Sequence, residues 1–264
     1  MRSKAASAIT ANRISSTWIP AGSEAGQADG LDPLRCHSAD FVAGACQARG
    51  VAIVIDVFRA CSLVAHALAA GVRRVIPVAA VDEARALKQA HPDWLLVGER
   101  HARRLPGFDC GNSPTELLAL RGLAGRTLVH TTHAGTQGLT AAAASAEVVL
   151  TGALVNAAAT VRRVRALGLG EVTLIAMGHE ARERCVEDDL CRELLGARLR
   201  GEVFDPVRIE PALRAAPAAR KFFDPAADWA PEGDFVLCSA LDVIDFAVQL
   251  RPQPEGFMAL ERVG

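Results

Sequence analysis

Carboxylates and a guanidinium that directly follow buried apolar runs are the side chains of this sequence best placed to do chemistry. The stretch DVFRACS (56–62) sets Asp56 and Arg59 after the run VAIVIDV. A carboxylate there can hold a metal or polarise a water. Arg59 is a planar fork for phosphate or sulfonate oxygens, and Ser62 opens a helix whose free N–H groups suit an anion. The plainer reading is an Asp–Arg pair that closes a turn. A second stretch, GERHARRLPGFDCGNSP (98–114), is far longer than the usual connector of roughly 4–6 residues. Gly107 and Gly111 permit close approach of backbone to ligand. Asp109 suits Mg²⁺, which takes one or two carboxylates together with waters and substrate oxygens, and Asn112 can orient a water or a substrate oxygen. The alternative is a turn in which Asp109 and Asn112 bond their own backbone. In TTHAGT (131–136), Thr131, Thr132, Gly135 and Thr136 can cradle an anion at a helix N-terminus, with His133 as a proton donor. His130 lies inside an apolar run and reads as a packed histidine. Glu187 and Asp188 of CVEDDLCRELL (185–195) open a helix, where acids also complement the helix dipole.

The elements that must position these groups alternate. Apolar, β-branched runs predict strands at 51–57, 73–78, 94–99, 126–131, 147–151 and 171–177. Between them, helical patterns occupy 62–70, 81–91, 136–144, 156–167 and 188–199. Ser113, Pro114 and Glu116 form a capping box with Pro at the first helical position, so the long loop feeds a helix at Ser113. Strands alternating with helices predict an α/β fold, three-layer α/β/α, with a mostly parallel or mixed sheet. Ligands of such sheets gather beyond the carboxyl ends of the strands, where Asp56, Glu99, Thr131, Gly178 and Glu180 all fall. The C-terminal part reads as a Pro-rich connector, an apolar strand at 235–241, a short helix and a last strand in FMALERV. Residues 1–40 read as a flexible leader, and 41–264 as a single α/β domain.

Composition removes several classes. The formal charge of the 264-residue chain is −1 and Tyr is absent, which leaves little for phosphate-backbone attraction or base stacking, so no nucleic-acid partner is expected. No stretch approaches the ~18–20 apolar residues of a membrane helix. The cysteines are odd in number and scattered, which predicts a reducing, cytoplasmic setting rather than a disulfide framework. No G-x-G-x-x-G follows a strand, which argues against a nucleotide-dependent oxidoreductase.

Taken in order, DVFRACS, GERHARRLPGFDCGNSP, TTHAGTQG and EDDLC resemble the 2-phosphosulfolactate phosphatase family, over roughly Val51 to Leu199. The resemblance implies a Mg²⁺-dependent phosphatase of α/β fold, named for a step in coenzyme M formation, acting on a small acidic phosphate monoester. It implies catalytic parts for Asp56, Arg59, Glu99 and Asp109. Mg²⁺ would fall to a subset of Asp56, Asp109, Glu187 and Asp188. Substrate contacts would come from Arg59, Ser62, Gly111, Asn112, Ser113, Thr131, Thr132, Gly135 and Thr136. A homodimer is compatible with this reading. The competing reading is a non-catalytic binder or sensor of a phosphorylated or sulfonated metabolite.

Overall fold

A computed structural model describes residues 34–264. Ten strands share one sheet: β1 (Arg35–Asp40), β2 (Val51–Ile55), β3 (Arg74–Pro77), β4 (Leu95–Arg100), β5 (Arg103–Arg104), β6 (Thr127–Thr131), β7 (Val148–Gly152), β8 (Glu171–Ala176), β9 (Ala247–Pro252) and β10 (Met258–Val263). The helices are α1 (Phe41–Ala45), α2 (Ala60–Ala69), α3 (Val81–Ala90), α4 (Pro114–Ala119), α5 (Gly135–Ala142), α6 (Ala157–Leu167), α7 (Val186–Arg200), α8 (Ile209–Ala215) and α9 (Glu232–Ser239). Helices pack on a ten-stranded mixed sheet, as the three-layer α/β expectation requires.

The run VAIVI reads as an unbroken apolar strand because both of its faces are covered. Val51, Ile53 and Ile55 enter one core cluster with Val161 and Val164 of α6 and Leu194 and Leu195 of α7. Ala52 and Val54 enter another, with Leu63 and Ala67 of α2 and Leu139 of α5. At Gly138 of α5, an added Cβ would stand 2.3 Å from Met177 Sδ and 3.0 Å from Val54, so a larger residue there would make the Met177 side chain shift.

The strand order is β1-β8-β2-β7-β9-β10-β3-β6-β4-β5. One half, β1-β8-β2-β7, is parallel, and so is β3-β6-β4. The hairpin β9–β10 joins them through three antiparallel steps. Three reversals make the two halves run in opposite senses. The joints are short: β10 meets β3 in register only at Leu260–Val75. Between β2 and β6 lie five steps, and the usual twist of roughly 20–25° per step accumulates to about 100–125°. That rotation swings the carboxyl ends of the two half-sheets toward each other. The expected single rim is therefore a meeting of two rims, one from each half.

Several expectations change. Arg35–Asp40, expected in the leader, form β1 and pair in parallel with β8; the rest of the leader, residues 1–33, lies outside the described residues. The apolar run at 235–241 is not a strand: residues 235–239 belong to α9, which follows Pro231 and carries Glu232 and Asp234 in its first turn. Where a short helix was expected, β9 forms. All cysteines of the described residues are free. No helix among them is long and apolar enough to cross a membrane.

Candidate active site

Asp56 follows β2 and sits between two helix starts. Its Oδ1 accepts from Ala60 N of α2 at 3.1 Å, and the Gly135 N–H of α5 also points at the carboxylate. A Cβ on Gly135 would stand 2.8 Å from Asp56 Oδ2, so a glycine is what admits this approach. The anion held at these N-termini is thus a side chain of the protein itself. Asp188, in the first turn of α7, has Oδ1 on Val57 N and Oδ2 on Gly178 N, both at 2.8 Å, and so ties the ends of β2 and β8 together. Glu187 beside it is 4% exposed, and its Oε2 is buried with no hydrogen-bond partner. Glu99 at the end of β4 accepts from His133 N at 2.9 Å and Ala102 N at 2.7 Å, holding two loops in place.

These four carboxylates line one cleft with Arg59, Asn112, His133, His179, Glu180, Cys185 and Lys221. The cleft encloses about 80 Å³. One water needs roughly 10–15 Å³ by this measure, so the space holds on the order of five to eight waters, enough for ions and a small polar molecule.

Electrostatics set this cleft apart from an ordinary polar surface. Burial, with the nearby charges of Glu99 and Glu187, raises the Asp56 carboxyl to about 6. Burial first, then Asp56 and Glu187, pushes Asp188 well above the usual carboxylate range. Burial likewise raises Glu187. Burial and the neighbouring Arg59 lower the half-buried Lys221. A carboxyl raised on folding keeps its proton to higher pH in the folded chain than in the unfolded one. The stability contributed by these three carboxyls in the metal-free protein is fully present below the unfolded carboxylate pKa of about 4 and is lost as pH rises through the folded values. Melting in chelator should show the temperature falling from pH 5 to pH 7; a flat or rising profile would contradict the buried-acid arrangement.

Arg59 is 2% exposed and anchored: its Nη1 lies 2.5 Å from Asp234 Oδ2 and 3.1 Å from the Trp229 carbonyl. Asp234 Oδ1 also accepts from Ser113 Oγ and Thr115 N. Asn112 reaches the cleft from the other half-sheet. A neutral His130, with its proton on Nε2, donates to Asn112 Oδ1 at 3.2 Å and leaves the amide NH₂ as the group turned elsewhere. Burial lowers His130 to about 3, which keeps it neutral.

Of the expected residues, Asp56, Arg59, Glu99, Asn112, His133, Glu187 and Asp188 come together. Asp109 does not line the cleft. Its Oδ2 accepts from Leu96 N at 2.8 Å and lies 3.6 Å from Lys88 Nζ. Leu96 is three residues before Glu99 on β4, roughly 10 Å back along the strand. Asp109 thus takes the backbone-bonding arrangement of a turn, away from the cleft lining, and Asp109→Ala should remove an acceptor from Leu96 N. We expect a stability loss of about 1–3 kcal/mol with kcat unchanged, measured by melting and by steady-state assay.

The residues of the expected anion cradle find hydrogen-bond partners within the protein. Thr132 and Thr136 satisfy each other, Thr132 N donating to Thr136 Oγ1 and Thr136 N to Thr132 Oγ1. Thr131 Oγ1 accepts from Arg100, Ser62 Oγ donates to the Val57 carbonyl, and Gly111 N donates to Glu116 Oε2. Ser113 caps α4 and accepts from Glu116 N. None of these six residues lines the cleft, and each is engaged in hydrogen bonds within the protein. Lys221 was not foreseen: it sits in the 3₁₀ segment Pro217–Phe223, whose sequence carries no periodic signal. Asp234 directly precedes the run misread as a strand, in the first turn of α9.

The 2-phosphosulpholactate phosphatase family model matches residues 36–228. A probable 2-phosphosulfolactate phosphatase from Deinococcus radiodurans is 39% identical over 132 residues, 50% of this chain and 55% of that protein. One from Carboxydothermus hydrogenoformans is 40% identical over 129 residues, 49% of this chain and 52% of that protein. The chain thus spans about half the length of these two relatives in the match. A third, from Bacillus subtilis, is 29% identical over 215 residues, 80% of this chain and 91% of that protein. With the family model covering well over half of its length, this chain belongs to the 2-phosphosulpholactate phosphatase family.

Proposed function

We propose that the protein hydrolyses a small acidic phosphate monoester of the 2-phosphosulfolactate kind, with Mg²⁺ held by Asp56, Glu187 and Asp188. The observation that carries this reading is the group of three buried carboxylates, raised by burial and mutual repulsion, with Glu187 Oε2 left without a partner. An unpartnered carboxylate oxygen in a buried, oxygen-only donor set fits a hard divalent cation, which relieves the repulsion. The names of the relatives support the same class of chemistry.

When bound, Mg²⁺ supplies positive charge to the phosphoryl oxygens. Lys221 and the anchored Arg59 add cationic groups on the cleft wall for the phosphoryl group and the substrate's other acid group. Asp234 keeps the guanidinium from swinging, so its orientation is set before substrate arrives. Glu99 positions the loops that carry Ala102 and His133. The small enclosed volume favours a substrate of a few carbons over a nucleotide.

The test is phosphate release from a panel of short phosphorylated hydroxyacids, including 2-phosphosulfolactate, in Mg²⁺ and in chelator. Release should occur with three-carbon diacids and stop in chelator. Binding without release would favour a sensor, and full activity in chelator would remove the metal from the reading.

A further inference from the structure

We propose that His101, His133 and Glu180 form a second metal site, for a zinc-class divalent ion, at the mouth of the cleft. The three donors lie within 4.8 Å of one another. His101 Nδ1 is 2.8 Å from Glu180 Oε1, and His133 Nδ1 is 3.9 Å from the same oxygen. In a tetrahedral site with bonds of about 2.0–2.1 Å, ligand atoms stand roughly 3.3–3.4 Å apart. The two separations bracket that value; His133 Nδ1 also accepts from His101 N at 3.3 Å, so rotation of the His133 ring, to free Nδ1 or present Nε2, completes the set.

The backbone is arranged to bring these groups together. Six non-glycine residues among those described have positive φ, and four of them are His101, Ala102, Glu180 and Ala181. Two of the three donors therefore come from turns in a conformation that residues other than glycine seldom take. His101 follows β4 and His133 follows β6 in one half-sheet, whereas Glu180 follows β8 in the other. An ion here would join the two half-sheets across the cleft.

The donor chemistry differs from that of the deep carboxylates. Two imidazoles and one carboxylate suit zinc and its neighbours, while Mg²⁺ prefers oxygen alone. Three protein ligands leave a position for water or an anionic group. The inference stands apart from the proposed hydrolysis, because it needs neither a substrate nor an occupied carboxylate site.

Zn²⁺ titration of the full-length, reduced chain by calorimetry, in millimolar Mg²⁺ to fill the carboxylate site, tests it. One equivalent should bind. His101→Ala and His133→Ala should each weaken Zn²⁺ by at least about 10–100-fold, and Glu187→Gln should not. Co²⁺ as a second probe should give visible bands of nitrogen and oxygen ligation without a sulfur charge-transfer band. The side chain of His101 is 74% exposed, so His101→Ala remains decisive if His133→Ala does not fold. No binding under Mg²⁺, binding indifferent to His101→Ala, loss in Glu187→Gln or a thiolate band would each overturn the proposal.

Discussion

Glu187→Gln should lower kcat by about 10²–10³-fold and leave the metal-free protein as stable as before, or more so. Glu187 is 4% exposed, and the charge it carries stands among Asp56 and Asp188. Its Oε2 bonds to nothing, so the amide that replaces it breaks no existing hydrogen bond at that atom. Removing one of three repelling charges lowers the cost of folding without metal. The same change removes a donor from the proposed Mg²⁺ set, and both binding and turnover should suffer. Asp56→Asn is a poorer probe. The Asp56 carboxylate accepts from two helix N-termini, and an amide can face only one of them with its oxygen. Melting and steady-state kinetics on Glu187→Gln separate the cases. Retained turnover would take Glu187 out of the chemistry, and a collapsed melting temperature would make it a structural residue.

How much of this was legible in the sequence depended on whether a residue's partners lie near it in the chain. The run VAIVI announces its strand because both faces are buried, and Asp56 then falls at a strand end by counting alone. Ser113-Pro114-x-Glu116 announces α4 because capping is a local exchange; Glu116 N donates to Ser113 Oγ, while the Glu116 carboxylate reaches Gly111 N. Asp109 misled because a Gly-flanked acid looks the same whether it faces a ligand or folds back on Leu96 N. The run FVLCS misled because a short apolar stretch suits a buried strand and a buried helix equally. β1 was overlooked because RCHSAD is an edge strand with little burial and so no apolar pattern. Lys221 reaches the cleft, and Asp234 reaches Arg59 behind it, through tertiary packing of α9 and the 3₁₀ segment before it, which no local spacing records. The convergence of two half-sheets was also invisible, since it arises from a hairpin formed by the last strands of the chain.

Asp234→Ala should be the most destabilising single change in the cleft region, at about 3–5 kcal/mol. Asp234 is fully buried and meets three donors: Arg59 Nη1 at 2.5 Å, Ser113 Oγ at 2.8 Å and Thr115 N at 2.9 Å. Alanine leaves the guanidinium of Arg59, itself 2% exposed, without its counter-charge. It also frees the N-terminus of α4 from α9. At roughly 2–4 °C per kcal/mol for a chain of this size, the melting temperature should fall by about 6–20 °C. Asp234→Asn should lose less, because an amide oxygen can still accept from Ser113 and Thr115 while only the ion pair is weakened. Arg59→Met added to Asp234→Ala should recover part of the loss, since an apolar side chain needs no counter-ion where a lone buried cation does. That recovery is what distinguishes an unpaired charge from a simple cavity. If the double variant is less stable than Asp234→Ala alone, the cost lies in packing of α9 against α4, and Asp234 anchors a helix more than it anchors Arg59.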